Sequence, residues 1–468
     1  MPDPRSSVRR RRPWALAPSW LAAVFAGCAD EVQSPGPPYA TLAVLSGCEA
    51  ERYEICDPLD AQCRAEVFST VKCLRQMPDG TLPALRVITQ AERRAELSRD
   101  LVQDPDEAAQ TDAVERALLL LALAQPGDLT PASVADLFAE TVPAYYSPDS
   151  GAITLVESEK ESRDPGQLTL TLAHELAHAL QDQDVGLAGV YRNTTSFDDY
   201  LASISLVEGE AEMLEGFFAA ALWGFREDPD FRLRHTSWLE DAEANFEDSS
   251  PLLVSQRYFP YSYGARFVYN VFVEGGMAAV RARLADIPKS VLPILLSVEH
   301  VEEPPIESLA ERSAPLALDG FELLQTDTLG PWILSKFLER GLVPAGPAEL
   351  VAAWRADRFL VYASPAGSVA AVWTLRFEDA AAAERLLGAL DGGRAMAPAS
   401  GRAFASVSDR ELTLGVVEDN LTLDAWSATT AEAQRVWREA PAAARAPVAP
   451  RFSRGLSAQL ARLALRLP

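Results

Sequence analysis

Two histidines one helical turn apart constrain this 468-residue chain more than any other feature of its sequence. The segment His174-Glu175-Leu176-Ala177-His178 places both imidazoles at positions i and i+4, on the same face of a helix. Apolar residues form a ridge nearly opposite that face: Leu172, Leu176 and Ala179. The pattern predicts a helix that buries this ridge and directs both histidines toward a cleft. There they can bind one Zn²⁺ at about 2.0 to 2.1 Å beside Glu175.

A catalytic zinc ion needs a third protein ligand and a position left for water. The metzincin arrangement requires Gly at position 181 and His at position 184, whereas this chain has Gln181 and Asp184. The other arrangement takes a Glu from a second helix, and Glu208 lies in a predicted helical stretch over residues 198–223. Glu208 is therefore the predicted third ligand, with Asp184 as its rival.

The same stretch contains other residues with predicted roles. Glu212, one turn beyond Glu208, is predicted to accept the free N–H of a zinc-bound histidine. Glu210 and Glu215 are expected to form a solvated acidic face. Gly209 costs roughly 1 kcal/mol relative to Ala inside a helix, so we expect another backbone, that of the histidine-bearing helix, to come close to it.

This ligand set predicts hydrolysis. Zinc lowers the pKa of its water toward about 7 and polarises a carbonyl, while Glu175 takes a proton from the water and passes it to the leaving amine. A further donor usually helps to hold the oxyanion. Tyr261, Tyr263 or His300 could supply it.

The N-terminal segment is typical of export. Four arginines at positions 9–12 precede a mostly apolar run over residues 14–27, which is too short to cross a bilayer core of about 30 Å as a helix. The run ends in Phe25-Ala26-Gly27-Cys28, which resembles the bacterial lipobox with Phe at its usual Leu position. We predict a lipoprotein signal peptide over residues 1–28, lipidation of Cys28 and a flexible tether over residues 29–40.

The other four cysteines, Cys48, Cys56, Cys63 and Cys73, are clustered near the N-terminus. An even, clustered set in an exported chain predicts two disulfides. Nested bridges from Cys56 to Cys63 and from Cys48 to Cys73 would staple a helical hairpin over residues 41–80, although three connectivities are possible. A zinc site built from all four cysteines is the rival, but close Cys-x-x-Cys pairs are absent from the sequence.

Hydropathy and turn patterns predict an α+β chain that is predominantly helical. Residues 81–345 are predicted to contain the zinc site and to be mainly helical after a hairpin with strands at residues 144–146 and 152–156. Residues 346–440 are predicted to form a C-terminal α/β subdomain, and residues 441–468 an Ala/Pro-rich linker and basic tail.

The chain resembles the uncharacterised bacterial and archaeal HExxH proteins of gluzincin type, which share a motif close to His-Glu-x-x-His-Ala-Leu-Gln-Asp-Gln, as in residues 174–183. Other similar stretches are residues 145–149, 207–211, 260–268, 275–277, 293–302, 327–330 and 353–358. The resemblance covers roughly residues 80–395 and implies a zincin-like metallopeptidase core with Glu208 as zinc ligand. It also implies an edge strand that aligns an extended peptide beside the metal, for which residues 152–156 are the candidate.

Together these features predict an exported, membrane-tethered zinc metallopeptidase of the bacterial cell envelope, with one Zn²⁺ and a peptide or protein substrate. The net charge of −25 would repel a phosphate backbone, which argues against a nucleic-acid partner. The alternative is a catalytically silent zincin-scaffold lipoprotein with a binding or envelope role. Glu175 argues against it, because a structural zinc needs no general base. Hydrolysis of a non-peptide amide is a third hypothesis.

Overall fold

Helices outnumber strands in the part of the chain that the computed structural model describes: residues 47–48, 53–124, 126–127, 129–157, 164–222, 258–297, 300–307, 309, 321–339, 347–390 and 402–418. The helices are α1 (Ala61–Leu74), α2 (Gln90–Asp100), α3 (Pro105–Leu120), α4 (Pro131–Thr141), α5 (Pro165–Val185), α6 (Leu187–Arg192), α7 (Phe197–Leu222), α8 (Ala265–Ala285), α9 (Leu292–Leu296), α10 (Gly330–Glu339), α11 (Pro347–Ala352) and α12 (Ala380–Ala389). The strands are β1 (Ala84–Thr89), β2 (Ala144–Ser147), β3 (Ala152–Glu157), β4 (Glu322–Asp327), β5 (Trp354–Ala363), β6 (Val369–Phe377), β7 (Arg402–Ser408) and β8 (Glu411–Val417). The prediction of a mixed, mostly helical chain is confirmed.

The two helices that carry the predicted ligands begin at residues that cap them. Asp164 accepts the N–H of Gln167 at the start of α5, and Gly186 ends that helix with a left-handed φ of 73°. Ser196 Oγ accepts the N–H of Asp199 at 3.1 Å in the first turn of α7. Local sequence therefore determines where both helices start.

Helix α7 lies at the centre of the described helices. It packs against α5, against α8 and against a π-helical turn, Pro260–Gly264, that leads into α8. Helix α1 packs along α5 and also touches α7. Their buried apolar side chains belong to one hydrophobic core, which continues into the C-terminal sheet.

A three-stranded sheet precedes α5 in the chain. Its strand order is β1-β3-β2, with β1 parallel and β2 antiparallel to β3. The predicted hairpin is confirmed, and Gly151 supplies the left-handed φ of 62° that its turn requires. However, β3 has a neighbour on both sides, so the expectation that residues 152–156 form an edge strand is wrong. Within this sheet the edges are β1 and β2.

The C-terminal sheet has the order β4-β5-β6-β8-β7, and every neighbouring pair is antiparallel. Helices α3 and α12 pack against it. The expected α/β subdomain is therefore a helix-covered antiparallel sheet. Among the described residues, strand β4 follows the helical stretch and pairs with β5, on the other side of the boundary predicted at residues 345–346.

Two disulfides join Cys48 to Cys73 and Cys56 to Cys63, which is the nested pairing. Helix α1 forms the second half of the predicted hairpin over residues 41–80. Most of the first half lies outside the described residues, and residues 53–55 are not helical. The cysteines that a four-cysteine zinc site would need are thus oxidised in pairs.

The predicted signal peptide, Cys28, the tether and the tail over residues 441–468 also lie outside the described residues. Among the helices that are described, none is both long and apolar enough to cross a membrane.

Candidate metal centre

His174, His178 and Glu208 come together in the interior, with one ligand atom from each side chain within 4.8 Å of the other two. Glu208 Oε2 lies 3.2 Å from His174 Nε2 and 3.4 Å from His178 Nε2. Donor atoms around a tetrahedral zinc, each about 2.0 to 2.1 Å from the ion, stand about 3.3 Å apart. These two separations therefore match the edges of such a tetrahedron.

All three side chains are buried, with relative exposures of 6% for His174, 3% for His178 and 0% for Glu208. The apolar ridge on the opposite side of α5 is fully buried as well. Helix α5 is thus enclosed on both faces, and its imidazoles are largely shielded from water.

Several polar atoms at this point have no hydrogen-bond partner among the described residues: His178 Nε2, Glu208 Oε1 and Glu175 Oε2. A buried polar atom without a partner costs about 1 to 3 kcal/mol, so native proteins rarely leave one unsatisfied. A cation between the imidazoles and Glu208 Oε2 would satisfy His178 Nε2, and a carboxylate that binds through both oxygens would also satisfy Glu208 Oε1. The donor set of two imidazoles and one carboxylate fits zinc.

The His178 ring is held by Gln181, which lies one turn further along α5. Gln181 Nε2 donates to the carbonyl oxygen of Val207 at 2.8 Å and to Glu210 Oε2 at 3.0 Å. Since the amide nitrogen is engaged there, Gln181 Oε1 must accept from His178 Nδ1, at 2.8 Å. The proton of neutral His178 is thereby placed on Nδ1, which leaves the Nε2 lone pair for a metal.

The His174 ring is held mainly by Glu215, not by the predicted Glu212. Its Nδ1 lies 3.2 Å from Glu215 Oε2 and 3.8 Å from Glu212 Oε2. The expectation that Glu215 belongs to a solvated face is wrong, because its side chain is only 20% exposed. Glu215 follows Glu208 by seven residues, or two turns of helix, which places both on the same side of α7, so both carboxylates reach one imidazole.

The electrostatics of the group favour a cation. Burial alone raises the pKa of Glu208, but the imidazoles of His178 and His174 outweigh burial and lower this pKa well below its ordinary value. Glu208 is therefore ionised. A buried, ionised carboxylate between two nitrogen lone pairs attracts either protons or a metal ion.

Glu175 lies next to the three candidate ligands and is 2% exposed. Burial raises its pKa, although the imidazoles of His178 and His174 act in the opposite direction. The backbone N–H of Tyr146, on β2, donates to its carboxylate. In the antiparallel pair of β2 and β3, alternate residues direct their N–H and C=O groups away from the partner. The side of β2 that pairs with none of the described strands therefore faces Glu175.

Tyr261 lies over the same site. Its ring stacks on that of His174, with ring centroids 6.1 Å apart and an angle of 24° between the planes. Burial and the charges of Glu208 and Glu175 raise the pKa of its phenol well above the ordinary value. At neutral pH the phenol is therefore a hydrogen-bond donor.

Gly209 allows this placement. A Cβ atom on Gly209 would lie 2.4 Å from the carbonyl carbon of Gly264, so the predicted close approach of another backbone is confirmed. That backbone is the π-helical turn, however, and not the histidine-bearing helix. π-Helical turns occur frequently at functional sites, and this one carries Tyr261.

Other residues with predicted roles lie elsewhere. Tyr263 stacks on Phe259 with centroids 4.9 Å apart, and also packs on Trp332. His300 has a side chain that is 70% exposed, and its Nε2 lies 4.0 Å from Glu302 Oε1. Asp184, the rival ligand, is paired with Arg281 and Arg75 instead of a histidine.

Sequence reasoning missed three residues behind the ligands: Arg75, Gln181 and Glu210. The spacing of Gln181 from His178 was a usable signal, because residues i and i+3 are neighbours on a helix. Glu210 is completely buried, which corrects the expectation of a solvated face. Its partner Arg75 is 135 residues away in the chain, and nothing in the sequence indicates the pair.

No protein-family model, no curated protein and no solved structure matches this chain. The structure contains a buried His-His-Glu group that could hold a metal ion. The two disulfides indicate an oxidising, extracytoplasmic location.

Proposed function

We propose that this chain is a zinc-dependent peptidase of gluzincin type. The observation that carries the proposal is the convergence of His174, His178 and Glu208, at separations that suit a tetrahedral ion, beside a second buried carboxylate, that of Glu175. A purely structural site would need no additional carboxylate with an unpartnered oxygen at that position. Glu175 thus favours catalysis over a silent scaffold.

In the proposed reaction, His174, His178 and Glu208 hold the metal and Glu175 moves the proton. These three residues would hold a Zn²⁺, which would supply a water of pKa about 7 and a Lewis acid for the carbonyl of the scissile bond. Glu175 accepts a proton from the attacking water and delivers it to the leaving nitrogen. The raised pKa of its buried carboxyl group suits it to both steps.

The substrate is proposed to lie along β2 in an extended conformation. Because β3 is the central strand, the open edge of Ala144–Ser147 is the better place for a peptide to add a strand. This edge borders Glu175. Tyr261, whose ring stacks on His174, is proposed to donate a hydrogen bond to the developing oxyanion.

We further propose that the chain acts in the cell envelope, tethered by a lipid on Cys28. The extracytoplasmic location indicated by the disulfides supports this proposal, together with the basic and apolar order of residues 9–28. Mass spectrometry of the membrane fraction tests it, since processed protein would begin at a lipid-modified Cys28. An unmodified N-terminus would remove the anchor without affecting the metal centre.

The test of the function begins with zinc. The full-length chain is purified in detergent with its disulfides intact, reconstituted with Zn²⁺, and its zinc content is measured. One zinc per chain is expected for the parent and for Glu175→Gln, and a marked loss for Glu208→Ala. The exposed Glu349 provides a matched control, because Glu349→Gln should retain both metal and activity.

Activity is then measured on a mixture of internally quenched peptides. Glu175→Gln should lower turnover by about 10²-fold or more, because the general base is lost while the metal stays. A folded parent that binds no zinc overturns the proposal. A zinc-loaded parent that cleaves non-peptide amides but no peptide would shift the substrate class, and one that cleaves neither would favour the scaffold role.

A further inference from the structure

Arg75 is buried behind the candidate metal centre, although it lies directly after the disulfide-linked helix α1. Its side chain is 0% exposed. Its Nε donates to Glu210 Oε1 on α7 at 2.9 Å, and its Nη1 donates to the carbonyl oxygen of Leu180 on α5 at 3.2 Å. Nη2 lies 3.1 Å from Asp184 Oδ2, also on α5. One guanidinium therefore joins the two helices that carry the metal ligands.

Glu210 connects Arg75 to a metal ligand. One carboxylate oxygen of Glu210 receives the Arg75 Nε–H, and the other receives the amide of Gln181 at 3.0 Å. Gln181, which is fully buried, then accepts from His178 Nδ1. Arg75, Glu210, Gln181 and His178 form a continuous chain of hydrogen bonds, at whose end the ring nitrogen Nε2 faces Glu208.

Arg75 supports the direction of the hydrogen bonds in this series, together with the Val207 carbonyl oxygen that also accepts from Gln181 Nε2. The guanidinium can only donate, so the Glu210 carboxylate accepts from it and is held with its second oxygen toward Gln181. If the guanidinium were absent, Glu210 could turn away and the Gln181 amide could rotate. A rotated amide would present its N–H groups to His178 Nδ1 and favour the ring tautomer with its proton on Nε2, which cannot bind a metal.

The disulfide-linked segment holds Arg75 in place. Cys73, two residues before Arg75, is bonded to Cys48. At the other end of α1, the backbone N–H of Cys56 donates to Thr169 Oγ1 at 3.1 Å, and this hydroxyl donates to the carbonyl oxygen of Cys56 at 3.0 Å. Thr169 and Leu180 lie on either side of the two histidines in α5. The disulfide-linked segment therefore contacts that helix both before and after the histidines.

After Arg75 the polypeptide continues along α5. Gln183 exchanges two hydrogen bonds with the backbone of Thr81, at 2.7 and 2.8 Å. A Cβ atom on Gly80 would meet Leu180 Cδ2 at 2.3 Å, so this part of the segment lies tightly against the helix. Residues 75–81 thus form part of the support of the site.

We propose that Arg75 is a positioning residue of the metal centre, which through Glu210 and Gln181 orients His178 for metal binding and depends on the Cys48–Cys73 disulfide for its own position. This inference rests on the proposed function, and it makes the N-terminal disulfide segment part of the zinc site. It assigns Arg75 no contact with metal or substrate.

The test measures zinc affinity by competition with a chelator, using the full-length chain. Arg75→Met, which keeps the length but removes the charge, should weaken zinc binding about 10-fold to 100-fold. Arg281→Met is the matched control, because Arg281 also pairs with Asp184 but its side chain is 36% exposed and it makes no described hydrogen bond to Glu210. It should leave the affinity within about 2-fold of the parent.

A double-mutant cycle separates positioning from general loss of structure. If Arg75 acts through Glu210, Arg75→Met should cause little further weakening in a chain that already carries Glu210→Gln. Arg75→Lys keeps the charge but loses the planar set of guanidinium donors, so it should weaken zinc binding to an intermediate degree. This variant replaces Arg75→Met in the test if Arg75→Met does not fold. The paired change Cys48→Ser and Cys73→Ser should also weaken zinc binding.

The outcomes distinguish the two proposals. A parent that binds zinc, with folded Arg75→Met and Arg75→Lys chains that bind it equally well, overturns the role of Arg75 and leaves the proposed function intact. Additive effects of the Arg75 and Glu210 changes overturn the route through Glu210. A folded parent that binds no zinc overturns the proposed function and this inference with it.

Discussion

The backbones of Gly209 and Gly264 lie in direct contact, and a Cβ atom on Gly264 would lie 2.1 Å from the carbonyl oxygen of Ser205. This contact joins α7, which carries Glu208, to the π-helical turn that carries Tyr261. Neither helix backbone can give way locally, because both continue for several turns beyond the contact. A side chain at either glycine would therefore separate a candidate ligand from the aromatic ring above it.

Gly264→Ala should destabilise the fold by about 3 kcal/mol or more, since the added methyl overlaps main-chain atoms instead of a flexible side chain. Urea unfolding of the two chains measures the effect. Gly388 in α12 has open space around it, so Gly388→Ala should stabilise by about 0.5 to 1 kcal/mol. Equal stability of the Gly264→Ala chain and the parent would show that the described contact is absent.

Glu215 should matter more for metal binding than Glu212. Glu215→Ala removes the carboxylate 3.2 Å from His174 Nδ1 and should weaken zinc binding about 10-fold to 100-fold. Glu212→Ala, which removes a carboxylate at 3.8 Å, should have a smaller effect. Chelator competition on both variants decides between them, and the reverse order would support the prediction made from the sequence.

Tyr261→Phe should lower peptide turnover by about 10² to 10³-fold while zinc content stays at that of the parent. The reason is that only the hydroxyl is lost, and the stacking of the ring on His174 is kept. Tyr263→Phe should change turnover by less than about 2-fold, because that ring packs on Phe259 and Trp332. Steady-state kinetics of both variants test the assignment, which fails if the two lose activity equally.

Three buried aspartates should make stability fall as pH rises. Burial raises the pKa of Asp198 to about 8, of Asp327 to about 7 and of Asp357 to about 6. Between about pH 4 and pH 8 the folded chain thus retains protons that the unfolded chain has released. Unfolding releases protons in this window, so the free energy of unfolding decreases with increasing pH.

Asp198→Asn isolates one of these groups. The neighbouring charges around Asp198 are those of Asp357 and of Asp199, which is paired with Lys289, and they are unchanged in the variant. Between pH 5 and pH 8 the variant should lose less stability than the parent, by a few kcal/mol. Urea unfolding at a series of pH values checks this, with the exposed Asp79→Asn as control. Parallel curves for Asp198→Asn and the parent would contradict the prediction.

Local pattern sufficed for the features that depend on neighbouring residues. The i, i+4 spacing of His174 and His178 places two imidazoles on one helix face whatever surrounds the helix. The capping residue Ser196 and the turn glycine Gly151 act within four residues of themselves, so the start of α7 and the hairpin could be predicted. Gly209 next to Glu208 indicated close packing of another backbone, but the structure places the π-helical turn there and not the histidine-bearing helix.

Contacts between distant segments of the chain could not be predicted from local sequence patterns. Strand β3 was expected at an edge, but pairing with β1, which precedes it by more than 60 residues, makes it central. Glu210 and Glu215 were predicted to be solvent-exposed, because the helical pattern of their own segment does not reveal that other segments cover them. Their burial follows from Arg75 and His174 respectively, which approach them from other segments of the chain.

The sequence by itself thus determined the chemical types at the site, two imidazoles and a glutamate on α5 with a further carboxylate on α7, because these depend on spacing within single helices. Only the tertiary structure decided which carboxylate supports which histidine, which strand edge faces Glu175, and that a disulfide-linked segment supplies Arg75 behind the ligands. These features depend on which segments, far apart in the chain, pack against one another. Helical periodicity contains no information about such partners.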